Sequence, residues 1–332
     1  MILVTGGAGY IGSHTCVALA HAGHDFVIVD NFCNSDPRIV ERLEQLTGRK
    51  LRVCNGDIRD GDFLDRTFRG YAISAVVHFA GLKAVGESVR QPLEYFSNNV
   101  VGSLSVIEAM RRAGCKTLVF SSSATVYGDT KSMPITEDAP CSVTNPYGRT
   151  KLMVEEILGD VHLSDASWRI ARLRYFNPVG AHESGLIGDS PRGTPNNLMP
   201  YVVQVAAGAK PALRVFGNDY PTPDGTGVRD FVHVMDLAEG HVAALDFLAK
   251  NQRSIVVNLG TGRGTSVLEM IGAFERVSGC RVSYEVAGRR AGDVATCFAD
   301  IRLARHLLGW VATRDIDQMC RDAWRWQAAS LR

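Results

Sequence analysis

Tyr147 and Lys151 stand four residues apart in Tyr147-Gly148-Arg149-Thr150-Lys151, so both side chains share one face if the segment is helical. A phenol with an ordinary pKa of about 10 is a poor base at neutral pH, but a neighbouring positive charge favours the phenolate. Ser123, in Ser121-Ser122-Ser123-Ala124-Thr125-Val126-Tyr127-Gly128, could donate a hydrogen bond to the same substrate oxygen. The three groups could therefore take a proton from a hydroxyl while hydride leaves its carbon. Tyr and Lys at this spacing occur on many helices, so the pair needs a nucleotide site beside it to point to this chemistry.

Such a site is written at the other end of the fold. The run Thr5-Gly6-Gly7-Ala8-Gly9-Tyr10-Ile11-Gly12 reads as GxxGxxG through Gly6, Gly9 and Gly12 or as GxGxxG through Gly7, Gly9 and Gly12. Glycines there permit a tight turn and let a pyrophosphate approach a helix N-terminus, where free N–H groups and the macrodipole favour anions. Asp30 closes the next strand-like run. A carboxylate at that point accepts from adenosine ribose hydroxyls and repels a 2′-phosphate, so NAD is expected rather than NADP. Its positive nicotinamide would be a second charge favouring the Tyr147 phenolate. Asp57 ends a third run, either beside adenine or in a solvated turn, and Phe79-Ala80-Gly81 ends a fourth.

Positioning these residues falls to an alternating series of elements. Ile2–Thr5, Asp25–Asp30, Leu51–Cys54, Ala75–Phe79, Lys116–Ser121 and Trp168–Tyr175 read as strands, and most are apolar on both parities, as parallel strands covered on both faces should be. Helical patterns fill the gaps, notably Pro92–Ala113, with Pro92 in its first turn and Gly114 as its stop. The expected fold is α/β, a doubly wound Rossmann-type parallel sheet with a smaller mixed C-terminal substrate domain. Residues 1–176 would form the NAD-binding domain, with 234–260 returning to it, and 177–332 the smaller domain. The segment Asn177–Pro200, with four prolines and four glycines, reads as a long functional loop.

The chain has 332 residues, 45% of them hydrophobic, with 36 Lys and Arg against 35 Asp and Glu. That supports a globular core and leaves no basic field for nucleic acid or an anionic membrane. Its 33 glycines, about 10% of the chain, exceed the usual share of roughly 7%. The eight cysteines form no CxxC pair and the nine histidines no ligand spacing, so no metal and no disulfide framework are expected. The N-terminus reaches Thr5-Gly6-Gly7 without a signal or membrane segment, and a cytoplasmic location is expected.

The motifs TGGAGYIG, HFAGLKAVGES (78–88), SSSATVYG (121–128), YGRTKLMVE (147–155), LRYFNPVGAH (173–182), PNNLMPYV (195–202), FGNDYPT (216–222), DGTGVRDFVHVMDLA (224–238) and NLGTG (258–262) resemble the nucleotide-sugar 4-epimerases of the extended short-chain dehydrogenase/reductase family. The likeness spans nearly the whole chain. It implies interconversion of UDP-glucose and UDP-galactose: Tyr147 deprotonates the sugar 4-hydroxyl as hydride passes to NAD, the 4-keto sugar rotates about its pyrophosphate, and hydride returns to the other face. Ser123, Tyr147 and Lys151 would be catalytic. The resemblance assigns tightly bound NAD to Gly6, Gly9, Tyr10, Ile11, Gly12, Asp30, Asn31, Asn34, Ser35, Asp57, Ile58, Phe79, Ala80, Gly81, Lys83, Asn98, Ser123, Tyr147, Lys151, Tyr175 and Phe176.

For the UDP-sugar it implies Lys83, Ser123, Tyr147, Asn177, Asn197, Leu198, Phe216, Arg229, Arg290, Asp293 and Cys297, with Arg229 and Arg290 on the pyrophosphate and Asp293 on the uridine ribose. Cys297 stands where some relatives have Tyr, leaving room for an N-acetyl group and implying activity on UDP-GlcNAc and UDP-GalNAc. Cys33 and Cys297 lie near ligand positions, so thiol reagents are expected to inhibit. Sugar-nucleotide 4,6-dehydratases place an Asp-Glu pair where Ala124 and Thr125 stand here. A UDP-glucuronate epimerase would need a cation for the carboxylate, and a non-catalytic NAD sensor on this fold would lack Tyr147 or Lys151. The family also implies a homodimer through Pro92–Ala113 and Tyr147–Asp160. His233, in an apolar run, reads as a satisfied core histidine.

Overall fold

Short apolar runs, most of them buried on both faces, become the strands of one parallel sheet. In the computed structural model, which describes residues 1–130, 132–190, 197–290 and 293–330, these are β1 (Ile2–Thr5), β2 (Phe26–Asp30), β3 (Arg52–Asn55), β4 (Ala75–His78), β5 (Thr117–Ser123) and β6 (Arg169–Tyr175). There follow β7 (Asn177–Val179), β8 (Leu213–Phe216), β9 (Val228–Arg229), β10 (Phe231–His233) and β11 (Ile255–Leu259), then β12 (Thr265–Ser266), β13 (Tyr284–Ala287) and β14 (Thr296–Cys297). Seven strands pair in the order β11-β6-β5-β4-β1-β2-β3, all parallel. The chain starts at β1, winds outward through β2 and β3, then crosses back to β4. That reversal beside β1 opens a crevice at the carboxyl ends of the strands.

Successive side chains leave a strand on opposite faces, and the core divides accordingly. Val4, Phe26, Ile28 and Val77 point to a cluster with Val17, Leu19, Leu245 and Leu248. Leu3, Val27, Val29 and Val76 point to the other, with Val106, Met110, Val154 and Leu158. A third core, built from Val202, Val215, Phe274 and Met319, lies under the second lobe. Among the described residues that lobe has only small sheets: β8 with β13, β7 with β10, and β12-β9-β14.

Two local readings change. Pro92–Ala113 is an α-turn (Pro92–Tyr95), a π-helical turn (Phe96–Val101) and an α-helix (Gly102–Arg112). The wider turn falls on Asn98 and Asn99, poor helix formers whose side chains are used elsewhere. Asn99 receives the Leu82 N–H at 2.8 Å and donates to the Leu82 carbonyl at 2.9 Å and to Thr150 at 3.0 Å. Asn177–Pro200 is also less irregular than its composition suggests: β7 pairs with β10, Ala181 bridges to Gly188, and a helix runs Leu198–Ala206. The central part of that segment, 191–196, lies outside the described residues.

Candidate active site

The carboxyl ends of β1, β2, β4 and β5 face one cleft of about 530 Å³. Gly6 turns the chain out of β1 with φ +69°, a left-handed conformation that L side chains rarely adopt. A side chain at Gly12 would run into the Gly6 carbonyl oxygen, so the turn rests directly on the helix that follows. That helix, Tyr10–His21, starts at Gly9 with no side-chain cap and no acid in its first turn, which leaves amides to receive an anion. Asp30, 9% exposed, accepts from the Ala8 N–H at 3.0 Å, the Phe32 N–H at 2.9 Å and the Ser35 hydroxyl at 3.0 Å. A bare helix N-terminus beside an anchored carboxylate fits a dinucleotide: diphosphate on the glycine turn, ribose on Asp30.

The cleft is lined by Gly6, Gly9, Tyr10, Ile11, Gly12, Asp30, Asn31, Asn34, Ser35, Ile58, Phe79, Ala80, Gly81, Lys83, Asn98, Tyr175 and Phe176, together with Ser123, Tyr147 and Lys151. Asp57 is absent from that lining, while its neighbours Gly56 and Ile58 belong to it. Its carboxylate receives Arg59 at 2.8 and 3.0 Å and Asn31 at 3.1 Å, and Arg59 holds its pKa down to about 2. Asp57 thus fixes the turn that presents the other two. Lys83 bridges the lobes, its Nζ 3.7 Å from the Asp189 carboxylate and 5.6 Å from the centre of the Tyr10 ring.

Ser123 is the last residue of β5, and Tyr147 sits in the first turn of the helix Pro146–Ser164. That helix starts where it does because Asn145 caps it, accepting from the Gly148 N–H at 2.9 Å, with Pro146 at the first position. One turn on, Lys151 is buried, donating to the Ser121 carbonyl at 2.7 Å with its Nζ 4.9 Å from the centre of the Phe120 ring. Burial pushes the Tyr147 phenol above its ordinary value, and a hydrogen bond with Ser123 draws it back down. Burial also lowers Lys151 to about 8, against the pull of Glu155.

Glu155 belongs to a group to which the sequence reading gave no role. Fully enclosed, it takes the Ser122 hydroxyl and pairs with Arg174 through contacts of 3.0, 3.1 and 2.6 Å. Arg174 also donates to Tyr127 at 3.1 Å, and Tyr127 to Asn258 at 2.6 Å. The pair clamps the end of β5 to the Tyr147 helix. The sequence signal was their place inside the quoted motifs, Glu155 at the end of YGRTKLMVE and Arg174 in LRYFNPVGAH, with no role attached to either. Thr125, also missed, lines the cleft, and its hydroxyl has no hydrogen-bond partner among the described residues.

Among the residues assigned to the sugar nucleotide, Asn177 and Asn197 line the same cleft. Leu198 instead packs against the core of the second lobe, because it opens the apolar helix Leu198–Ala206. Phe216, Arg229, Arg290, Asp293 and Cys297 also lie off the cleft lining and form a group of their own. The Arg290 guanidinium is 4.4 Å from the centre of the Phe216 ring, Arg229 is 3.9 Å from the Asp293 carboxylate, and Cys297 pairs with Arg229 across β14 and β9. Asn177 joins this group to the cleft, since its N–H donates to the Asp230 carbonyl at 2.9 Å. Burial pushes the Cys297 thiol up to about 11. Cys33 is raised by partial burial and by Asp30 and Asp57. Both shifts favour the protonated thiol. His233 is buried at the start of the helix Val234–Asn251, where it accepts from the Met235 N–H at 3.0 Å and contacts Asp322 at 3.2 Å.

A doubly wound sheet with a glycine turn after β1 and a Ser-Tyr-Lys set beyond β5 defines an extended short-chain dehydrogenase/reductase. The model of the NAD dependent epimerase/dehydratase family matches residues 2–260, and the chain belongs to that family, in the branch that holds the UDP-glucose 4-epimerases. It is 57% identical to the UDP-glucose 4-epimerase of Bacillus subtilis (strain 168) over 330 residues, 99% of this chain and 97% of that one. Its fold matches the UDP-glucose-4-epimerase from Stenotrophomonas maltophila with bound NAD and formylated UDP-arabinopyranose (TM-score 0.98, 55% identity, covering 99% and 98% of the two chains). A similar match is the enzyme from Bifidobacterium longum in complex with NAD+ and UDP (TM-score 0.96, 51% identity, 99% and 98%).

Proposed function

We propose that the protein is an NAD-dependent isomerase that interconverts UDP-glucose and UDP-galactose by inverting C4 of the sugar. The observation that carries this reading is the meeting of Ser123, Tyr147 and Lys151 with the glycine turn and Asp30 in one cleft. When bound, NAD supplies the hydride acceptor and donor for C4. Tyr147 takes the proton of the 4-hydroxyl and later returns it, and Ser123 donates a hydrogen bond to the same oxygen. Lys151, held by the Ser121 carbonyl, lends its charge to the phenolate. Burial alone works against that phenolate, so proton removal needs the positive charge brought by the oxidised cofactor as well.

Arg229 and Arg290 grip the pyrophosphate with charge-assisted hydrogen bonds, Asp293 accepts from the uridine ribose, and Phe216 flanks the base. Asn177 and Asn197 bound the sugar site, and Thr125 offers it a free hydroxyl. With the nucleotide gripped away from the reacting carbon, the 4-keto sugar can turn over while staying bound. Ala124 and Thr125 after Ser123 provide no carboxyl group to expel water, which supports epimerisation over dehydration. Conversion of UDP-galactose to UDP-glucose by the purified protein tests the reading. Tyr147→Phe is expected to lower kcat at least 10³-fold, roughly 4 kcal/mol of barrier, with NAD still bound; unchanged turnover would overturn it.

Cys297 packs with Val126, Tyr127, Phe176 and Ala299 beside the site, and its small side chain supports acceptance of UDP-GlcNAc and UDP-GalNAc. Cys297→Tyr should abolish that activity and spare the UDP-glucose pair. Equal inactivity of both proteins on N-acetylated sugars would sink the idea. Homodimerisation is supported by Val89, Leu93 and Val101, 61%, 82% and 50% exposed, on the helices flanking Tyr147. Large apolar side chains left this exposed fit an association surface, and sedimentation of Leu93→Glu as a monomer would agree. All eight cysteines are free, in keeping with a cytoplasmic enzyme. Among the described residues no helix is long and apolar enough to cross a membrane.

A further inference from the structure

The helix Ile316–Ser330 packs against the helices Val267–Ser278 and Leu198–Ala206 of the second lobe, and near its end it reaches back to the first. There the guanidinium carbon of Arg42 lies 5.1 Å from the centre of the Trp326 indole. Arg42 belongs to the helix Ile39–Thr47, which follows the Asp30 turn, and both side chains line the dinucleotide cleft. Of the carboxylates close by in sequence, Asp36 is taken by Arg38 and Glu44 by Lys50, each at 2.6 Å.

The indole rests on Gly188, and two contacts of neighbouring residues fix the end of the helix that carries it. The ring lies so close to Gly188 that a side chain there would run into it. The neighbouring Arg325 donates to the Glu183 carbonyl. One turn back, buried Asp322 contacts His233 at 3.2 Å. The cation therefore comes from one lobe and the ring from the other.

Building on the cofactor reading above, we infer that Arg42 and Trp326 form a latch that ties the lobes together along the dinucleotide cleft and sets how slowly NAD leaves. A cofactor restored in every cycle has no need to dissociate, and a contact that must break before release lengthens its residence without touching the reacting atoms. Arg42 and Trp326 are thus retention residues.

The test is the release rate of NAD from loaded full-length protein diluted into excess labelled NAD. Trp326→Leu keeps apolar bulk against Gly188 and removes the aromatic face, while Arg42→Gln removes the cation. Each is expected to speed release about five- to thirty-fold, the worth of a partly desolvated cation–π contact, and the double variant should be no faster than the faster single one. Release from Trp326→Leu at the wild-type rate would overturn the latch, even if Arg42→Gln released faster, since Arg42 would then act alone. Arg42→Lys, which keeps a cation, should restore part of the retention. Wild-type protein that neither carries nor takes up NAD would overturn the cofactor reading itself. A wild type that holds NAD, with both single variants releasing it equally slowly, would overturn only the latch.

Discussion

At the dinucleotide end of the cleft, Gly6, Asp30, Phe79 and Ser123 stand at the carboxyl ends of parallel strands four to seven residues long. At the sugar-nucleotide end, Arg229 and Cys297 stand on two-residue strands, and Arg290 and Asp293 lie outside strands altogether. A long buried strand fixes its terminal residue through many hydrogen bonds and a core on both faces, so position comes from the fold. A two-residue strand fixes little, and there position comes from pairwise contacts such as Arg290 over Phe216 and Arg229 near Asp293. Substitution should therefore cost stability at the first end and affinity at the second.

The sharpest way to break this contrast is Glu155→Ala. It strands Arg174 in a buried site, and loss of one partner of such a pair costs about 3–5 kcal/mol, read as a lower urea midpoint; a stability within 1 kcal/mol of wild type would remove the clamp from the account. Next comes Lys151, whose folded pKa of about 8 lies below its ordinary 10.5. Between those values the unfolded chain binds the proton that the folded one has lost, so stability rises with pH across that window and is flat below it. Wild type should gain up to about 3 kcal/mol on Lys151→Met over that range, and a constant difference between the two would refute it.

A smaller effect is expected of Asp30→Ala, which frees the Ala8 and Phe32 amides and the Ser35 hydroxyl as well as removing the ribose carboxylate. The preference for NAD over NADP should fall tenfold or more, measured by cofactor titration of stripped protein. Smallest is Arg290→Ala: KM for the UDP-sugar should rise about tenfold, the worth of a charge-assisted hydrogen bond, with thermal stability and NAD content unchanged. A large loss of stability there would erase the distinction between the two ends.

Legibility followed the same division. The strands of the sheet could be placed from the sequence because a segment covered on both faces must be apolar on both parities, and the Tyr147–Lys151 pair because helical spacing is local. Asp57 could not be settled that way: whether it faces the cleft depends on Arg59 and Asn31 claiming its oxygens. Leu198 was assigned by motif, yet its place is decided by the apolar helix it opens. The π-turn at Phe96–Val101 had a faint local trace in Asn98-Asn99, but its purpose is Asn99 bridging Leu82 and Thr150, a contact between distant segments.

The amino-acid sequence by itself determined the parallel α/β sheet, the turn that can cradle a diphosphate, and the acid–base pair, because each follows from periodicity or from the backbone freedom of single residues. Tertiary structure alone decided that Glu155 and Arg174 brace the catalytic strand, that burial lowers Lys151 to about 8 and raises the Cys297 thiol, and that Arg42 meets Trp326. Those outcomes depend on burial and on which distant side chains arrive at the same place, and no local pattern along a chain records either.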